Sequence, residues 1–333
     1  MSRAPRFWDK AETDWRAHVL RPLGALYAQA TARRLSKGVR ARIDVPVVCV
    51  GNINVGGTGK TPTVIAIVEQ LRDRFHQPHI ISRGYGGRVK GPMQVDPRKH
   101  TAADVGDEPL LLSAFAEVWV AQDRLAAARA AQSAGATVLV LDDGFQDPAL
   151  HHDLALVVVN AAKGFGNGLC LPAGPLREPA AVGLRRADLL LSIGSSEGQS
   201  RFVSRTSLPA ELTHVTAELR PLETGMDWSD TRALAFAGIG HPEKFFATLK
   251  SLGATLVRTE ALDDHQPLNL ALMARLEADA LALNAQLVTT EKDAVRLSPA
   301  FRSKVITLPV RLALPAKNAL WDRLAELGVK KTS

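Results

Sequence analysis

The stretch that decides the fold reads Val45-Pro-Val-Val-Cys-Val-Gly-Asn-Ile-Asn-Val-Gly-Gly-Thr-Gly-Lys-Thr61. Its first six residues form an apolar, largely β-branched run, which is typical of a strand buried on both faces. A glycine-rich turn follows, and a helical pattern then continues from about Thr61 to Phe75. A strand, a glycine-rich turn and a helix in this order predict a phosphate-binding loop at the end of a parallel strand.

The turn itself carries the residue types that phosphate binding needs. Glycines let backbone N–H groups curl around phosphate oxygens, a lysine reaches the β- and γ-phosphates, and a threonine hydroxyl binds Mg²⁺. The strict motif G-x-x-x-x-G-K-[ST] starts with glycine, where this chain has Asn54, a residue that tolerates left-handed backbone better than most. A chance glycine-rich turn is disfavoured by the strand before it and the helix after it. The predicted nucleotide-binding residues of the loop are Asn54, Gly56, Gly57, Thr58, Gly59, Lys60 and Thr61.

A second signal lies in Thr137-Val-Leu-Val-Leu-Asp-Asp-Gly-Phe-Gln146. P-loop enzymes use an apolar strand that ends in carboxylates to hold Mg²⁺ and its water ligands. Asp-Asp-Gly alone is also an ordinary turn signal. Beside the loop, we interpret Asp142 and Asp143, together with Thr61, as a magnesium site.

The segment Gly106-Asp-Glu-Pro109 leaves two interpretations open. Asp107 before a proline-containing first turn is a good helix cap. The same carboxylate is also suited to take a proton from an attacking hydroxyl group.

Two further segments carry candidate binding residues. Leu171-Pro-Ala-Gly-Pro-Leu-Arg-Glu-Pro179 is rigid and presents Arg177, which suits phosphate charge, beside Glu178, which could extend the metal shell. Thr289-Thr-Glu-Lys-Asp293 follows a predicted strand, and we expect Lys292 and Asp293 to read the nucleotide.

The order of predicted elements argues for an α/β fold with a doubly wound parallel sheet. Strands and helices alternate as far as about residue 210, a polar stretch at 211–230 reads as a linker, and the alternation then resumes. We therefore predict an N-terminal arm over 1–43, a P-loop domain over 44–212 and a smaller α/β domain over 213–333 that partly returns to the first.

The net charge of +7 is concentrated in the arm, where ten basic and three acidic side chains account for the whole excess. Apolar residues recur there at helical spacing, at Trp15, Val19, Leu23, Leu26, Tyr27 and Ala30. Its uncharged stretch is too short for a bilayer span of roughly 20 residues, and a basic, apolar-faced helix of this kind is typical of one that lies in a membrane interface. The alternative is a terminal helix whose apolar face docks on the protein's own core, and the residues alone favour this alternative. The two cysteines, Cys49 and Cys170, lack metal-ligand spacing and fit a reducing compartment.

Taken together, these segments resemble the tetraacyldisaccharide 4′-kinase family, the lipid A kinases of Gram-negative bacteria. The resemblance covers most of the chain and adds Ser82-Arg-Gly-Tyr-Gly86 to the motifs above. It implies ATP and Mg²⁺ as cofactors, and γ-phosphoryl transfer to the 4′-hydroxyl of a tetraacylated glucosamine disaccharide 1-phosphate. It also implies a peripheral location on the cytoplasmic face of the inner membrane, at an anionic surface.

By resemblance, Asp107 is the base, His265 its partner, and Lys60 a catalytic phosphate ligand. Arg83, Tyr85, Gln146 and Arg177 are assigned to substrate binding. Three positions depart from the family pattern: Asp147 replaces a frequent His, His241 replaces an Asn, and His265 lacks the usual flanking aromatic residues.

Two rival functions remain at this point. A nucleotide-dependent switch or loading protein would share the loop and sheet, but it would need Cys or His ligand pairs. A kinase of a small soluble acceptor would have no use for the basic arm. Nucleic-acid binding is disfavoured because the arm lacks interleaved aromatic residues, and no obligate protein partner is evident.

Overall fold

The computed structural model describes residues 5–9, 14–74, 76–263 and 266–329. Within them the chain forms two compact units. The larger unit holds the described residues up to His100, then Asp104–Leu219, and the described residues from Leu312 onward. The smaller unit comprises Thr101–Ala103 and Arg220–Arg311.

The first half of the chain alternates strands and helices as predicted. After a short 3₁₀ turn at Arg6–Asp9, the elements are α1 (Trp15–Lys37), β1 (Val47–Gly51), α2 (Lys60–Arg72), β2 (Pro78–Ser82), β3 (Met93–Gln94), α3 (Ala102–Val105), α4 (Asp107–Leu112), β4 (Glu117–Val120), α5 (Arg124–Ser133) and β5 (Val138–Asp142). They continue with β6 (Leu154–Asn160), α6 (Ala180–Leu184), β7 (Leu189–Ile193), α7 (Ser196–Arg205) and β8 (Thr213–Pro221).

The remaining elements complete the smaller unit and return to the larger one. They are β9 (Arg232–Ala237), α8 (Pro242–Ser251), β10 (Thr255–Ala261), α9 (Leu270–Ala282), β11 (Gln286–Thr290), α10 (Glu291–Ala294), α11 (Pro299–Arg302), β12 (Val305–Leu308), β13 (Val310–Ala313) and α12 (Ala319–Val329).

One nine-stranded sheet positions the functional loops, in the order β13-β8-β7-β6-β1-β5-β2-β4-β3. The strands from β8 to β4 pair in parallel, and the edge strand β3 is antiparallel to β4. Strand β1 lies between β6 and β5, where the strand order reverses, so its carboxyl end opens into the crevice that ligands use in such sheets. The predicted doubly wound parallel sheet is confirmed. The predicted linker at 211–230 is partly wrong, because strand β8 occupies Thr213–Pro221.

The sheet is buried because its central strands are apolar on both faces. In β1, Val48 and Val50 pack into one hydrophobic cluster and Val47 and Cys49 into the other. The first cluster includes apolar residues of α2, α4 and α12, and the second includes residues of α5, α6 and α7. A two-sided core of this kind holds β1 in place, and with it the loop that follows.

The smaller unit has its own α/β fold, with a four-stranded sheet in the order β10-β9-β11-β12. All three pairings are parallel. Its core is made by Leu234, Phe236, Leu276 and Val288, each of which is fully buried.

Helix α1 docks on the larger unit with the opposite face from the one that the apolar pattern suggests. Its buried residues are the small ones, Ala17, Gly24 and Thr31. A Cβ atom at Gly24 would lie 2.8 Å from the carbonyl oxygen of Cys170, so this contact requires glycine. Pro22 lies inside this one continuous helix.

The large apolar side chains of α1 face outward. Trp15 is 69% exposed, Val19 67% and Leu26 61%, and Leu23 is also more than half exposed. The alternative that this apolar face docks on the protein's own core is therefore wrong for the described residues. No helix in the described part of the chain is both long and apolar enough to cross a bilayer.

Candidate active site

The loop between β1 and α2 has the conformation that its glycines predict. Gly56 and Gly59 have φ angles of 103° and 99°, which L-residues with side chains rarely adopt. Nothing lies within 4 Å of a Cβ atom built on Gly56 or Gly57, so this side of the loop is open. Helix α2 then begins at Lys60, so the N–H groups of Lys60 and Thr61 lie at its N-terminus, where an anion is favoured.

Hydrogen bonds from neighbouring loops fix this phosphate loop. The Asn52 side chain, which is fully buried, donates to the Thr58 hydroxyl at 3.1 Å. The N–H of Val55 donates to the carbonyl of Pro175 at 2.8 Å, and the N–H of Arg177 donates to the carbonyl of Ile53 at 2.8 Å. The proline-rich segment therefore runs beside the phosphate loop.

Lys60 also lies close to the carboxylate of Asp143, which follows β5. The Lys60 Nζ atom lies 3.5 Å from Asp143 Oδ1, and Arg177 donates to both carboxylate oxygens of Asp143 at 3.1 and 3.0 Å. Burial alone would raise the pKa of Asp143, but the charges of Lys60 and Arg177 outweigh it and lower the pKa below its ordinary value. Asp143 is therefore ionised at neutral pH and carries the negative charge between two cations.

Asp142 lies in a different environment, although it is the next residue. It is 2% exposed, and its Oδ1 atom has no hydrogen-bond partner. Burial raises its pKa to about 7, with a further contribution from the charge of Glu108, while the charge of Lys60 opposes the increase. A buried carboxylate oxygen without a partner at this place is suited to a cation.

Asp107 is the first residue of α4 rather than its cap. The N-cap is Gly106, whose φ angle of 93° requires glycine, and no side chain caps this helix end. The cap interpretation of Asp107 is therefore wrong; its carboxylate is half-buried, and its role as the base stays a prediction. Arg83 and Tyr85, in the loop after β2, are exposed.

Glu178 has different partners from those of a magnesium ligand. It is 2% exposed, and Arg186 donates to both of its carboxylate oxygens at 2.6 and 2.7 Å. Gln146 donates to the same carboxylate at 2.9 Å. We correct the metal assignment of Glu178, because its oxygens already accept these three hydrogen bonds.

Asp293 also has a structural role in place of the predicted one. It is fully buried in the smaller unit, where its carboxylate accepts from the Gly238 N–H and the Thr290 hydroxyl and pairs with Arg296. A carboxylate enclosed in this way has no surface to offer a nucleotide. Lys292 stays a predicted contact, and His265 lies outside the described residues.

Sequence reasoning missed three polar residues at this site. Arg124, at the start of α5, donates to the carbonyl of Asp143 at 2.8 Å and pairs with Asp147. Asn52 and Arg186 were likewise absent from the predicted set. The only sequence signal for Arg124 was its place at the start of a helix that follows a strand.

The residues present are suited to a nucleotide with Mg²⁺. The phosphate loop is open at Gly56 and Gly57, Lys60 supplies a cation, and Asp142 has an unpartnered buried oxygen. Among the described residues no cluster of three or more His, Cys, Asp or Glu could hold a metal by itself. In a P-loop site, phosphate oxygens, a hydroxyl and water supply the other ligands of the metal.

Fold and loop together define the class: this is a P-loop nucleotide-binding enzyme. A family model described as tetraacyldisaccharide-1-P 4′-kinase matches residues 16–328. The tetraacyldisaccharide 4′-kinase of Dinoroseobacter shibae is 60% identical over 98% of this chain and 97% of its own. That of Jannaschia sp. is 58% identical over 93% of this chain and 94% of its own. The chain belongs to the tetraacyldisaccharide 4′-kinase family.

A solved structure agrees with this assignment. The crystal structure of LpxK from Aquifex aeolicus, in complex with ATP, matches with a TM-score of 0.74 at 26% identity. The match covers 93% of this chain and 99% of that one. The two chains therefore share their fold over nearly their whole length.

Proposed function

We propose that this enzyme transfers the γ-phosphoryl group of ATP to the 4′-hydroxyl of a tetraacylated glucosamine disaccharide 1-phosphate, in lipid A biosynthesis. Family membership over residues 16–328 identifies the reaction. The observation in the structure that supports it best is the meeting of Lys60, at the phosphate loop, with the Asp143 carboxylate at 3.5 Å. ATP and Mg²⁺ are its cofactors.

The larger unit supplies the groups that neutralise phosphate charge. In phosphoryl transfer the protein mainly positions the reactants and stabilises charge. We assign the β- and γ-phosphates to the loop amides of Asn54–Gly59 and to Lys60. We assign Mg²⁺ to Thr61, Asp142 and Asp143; when bound, it neutralises the charge that develops on the phosphate oxygens. Lys60 and Arg177 keep Asp143 ionised, and therefore ready to act as a ligand.

We propose that the acceptor is held and activated by residues at the carboxyl ends of neighbouring strands. Arg83 and Tyr85 follow β2, and Arg177 lies beside Asp143. Gln146, which was assigned to substrate binding, instead donates its amide hydrogens to Asn52 and Glu178. Asp107 takes the proton of the 4′-hydroxyl, because a sugar hydroxyl is a poor nucleophile near neutral pH. His265 would orient that carboxylate.

A direct assay tests the function. The purified enzyme is incubated with γ-labelled ATP, Mg²⁺ and the acylated disaccharide 1-phosphate, and label on the lipid is measured. A parallel reaction contains the deacylated disaccharide 1-phosphate. We expect label on the acylated acceptor. Equal or better transfer to the deacylated acceptor would instead indicate a kinase of small soluble acceptors.

Binding of Mg²⁺ with ATP should weaken as the pH falls through about 7. Because burial raises the pKa of Asp142 to about 7, protons compete with the metal for this carboxylate below that pH. Affinity should fall by at most about tenfold per pH unit from this group. Titration of Mg²⁺ between about pH 6 and about pH 8 would measure it.

The control for this titration is Asp142→Asn, because the phosphates of ATP also bind protons. The pH dependence that remains in this variant belongs to the nucleotide. Equal pH dependence in the wild type and the variant would contradict the assignment of Asp142.

We propose a peripheral location on the cytoplasmic face of the inner membrane, with α1 as the contact. Its exposed apolar side chains lie on a helix rich in basic residues, a combination that binds anionic bilayer surfaces. The acylated substrate is itself a membrane lipid, so a surface-bound enzyme meets it without extracting it into water.

Replacing Trp15, Val19 and Leu26 together by serine should release the enzyme from vesicles that contain anionic phospholipid. These side chains are mostly exposed, so their replacement should leave the fold intact. We expect KM for the lipid to rise more than KM for ATP. Co-sedimentation and kinetics would measure both effects.

A matched control replaces Val203 and Leu281 by serine, because both are exposed but lie outside α1. It should leave vesicle binding unchanged. Full co-sedimentation of the α1 variant would show that this helix is not the membrane contact.

A further inference from the structure

Arg186 lies outside every sequence motif of the family, yet it contacts two of the segments that carry them. It follows α6 and donates two hydrogen bonds to Glu178, at 2.6 and 2.7 Å. Its guanidinium also lies over the ring of Phe145, 4.3 Å from the ring centre, and donates to the Phe145 carbonyl at 3.3 Å. One side chain thus joins the proline-rich segment to the turn after the metal-site carboxylates.

Glu178 makes this contact obligatory. A carboxylate that is 2% exposed is strongly disfavoured unless a cation and further hydrogen bonds compensate it. Arg186 supplies the cation, and Gln146 supplies the third hydrogen bond at 2.9 Å. Removal of Arg186 would leave the buried charge without its partner.

The contact continues from Glu178 to the phosphate loop. The side-chain amide of Gln146 donates both to Glu178 and to the carbonyl of Asn52, the latter at 2.8 Å. The side chain of Asn52 in turn donates to the Thr58 hydroxyl at 3.1 Å. Arg186, Glu178, Gln146 and Asn52 therefore form a polar chain that ends inside the loop.

We infer that Arg186 is a positioning residue for the kinase reaction: by fixing Glu178 and Gln146, it holds the phosphate loop in its nucleotide-binding conformation. This inference rests on the function proposed above. Arginine is required because one guanidinium nitrogen donates to the Glu178 carboxylate, the other donates to the Phe145 carbonyl, and the same planar group stacks on the Phe145 ring. Lysine keeps the charge but provides neither of these geometries.

The test compares Arg186→Lys with a matched control, Arg185→Lys. Arg185 is the preceding residue and is exposed. We expect Arg186→Lys to raise KM for ATP, and the Kd for ATP with Mg²⁺, by about 10- to 100-fold, the usual effect of disturbing residues that orient a site. KM for the lipid should stay unchanged, and the control variant should behave as the wild type.

The split between the two KM values separates positioning from a merely structural role. A structural role would lower the melting temperature and the active fraction while leaving both KM values unchanged, and that result would overturn the inference. A wild type that does not phosphorylate the lipid would count against the proposed function instead.

A second variant keeps the test decisive if Arg186→Lys does not fold. Gln146→Met breaks the polar chain but leaves the Glu178–Arg186 pair in place. It should raise KM for ATP by a similar factor. An unchanged KM for ATP in this variant would overturn the inference.

Discussion

Replacement of Lys60 by alanine should lower kcat for phosphoryl transfer by about a thousandfold, which is the scale of losing one preorganised charge-stabilising donor. Lys60 begins α2 at the end of the phosphate loop and is the side chain that reaches the β- and γ-phosphates. No other cation of the loop can replace it, because the rest of the loop contributes backbone amides.

The fold should survive this change. Asp143 keeps its two hydrogen bonds from Arg177 when Lys60 is removed. Lys250→Ala, at an exposed lysine of the smaller unit, is the matched control and should keep normal kinetics. Single-turnover transfer and thermal melting would measure the two effects separately. Near-normal turnover of the Lys60 variant would remove the assignment of the loop.

Replacement of Asp107 by alanine should lower kcat by about two to four orders of magnitude, the usual loss when a general base is removed. Stability should change little. The cap of α4 is Gly106, alanine is a good helix former, and a first-turn carboxylate stabilises a helix by only about 0.3–1 kcal/mol. A large kinetic effect with a small stability effect would therefore identify chemistry at this residue.

The comparison for Asp107 is a residue that does cap a helix. Asn269 accepts from the Leu272 N–H at the start of α9, so Asn269→Ala should cost about 1 kcal/mol of stability and leave kcat nearly unchanged. His265→Ala should lower kcat less than Asp107→Ala, and the double variant should fall short of the combined effect. Simply additive kinetic effects would refute the proposed pairing of Asp107 with His265.

The sequence was sufficient to predict the features that local patterns encode. The apolar run before Gly51 and the glycines at 56, 57 and 59 define a strand and a loop without reference to the rest of the chain. Asp142 and Asp143 could be placed beside that loop because the carboxyl ends of parallel strands share one edge of the sheet.

The polar chain through Arg186 could not be predicted in this way. Asn52, Gln146 and Glu178 lie in motifs that the sequence shows, but Arg186 lies in none, and the members are separated by up to 134 positions, so no local pattern indicates that they pair. Only the fold brings Gln146 to Asn52 and Arg186 to Glu178. Membership of a motif was also misleading. Asp293 lies within a family motif, but its buried carboxylate accepts a hydrogen bond from the Gly238 N–H.

The arm shows a second limit of pattern analysis. Its large apolar residues gave a clear helical stripe, and a stripe normally indicates the face that packs on the core. Here the core contact uses Ala17, Gly24 and Thr31, small residues that carry little hydrophobic signal but allow close approach. The apolar stripe therefore marks the exposed face of α1, which is the face proposed above to contact the membrane.

The tight contact of Gly24 with Cys170 also fixes the orientation of α1 on the larger unit. A helix packed this closely against the larger unit cannot rotate about its own axis. The packing therefore fixes the direction in which its exposed apolar side chains point. With α1 as the proposed membrane contact, every bound copy of the enzyme would have the same orientation on the bilayer. A larger residue at position 24 would shift α1, and under this proposal it would also change the orientation of the enzyme towards the lipid headgroup.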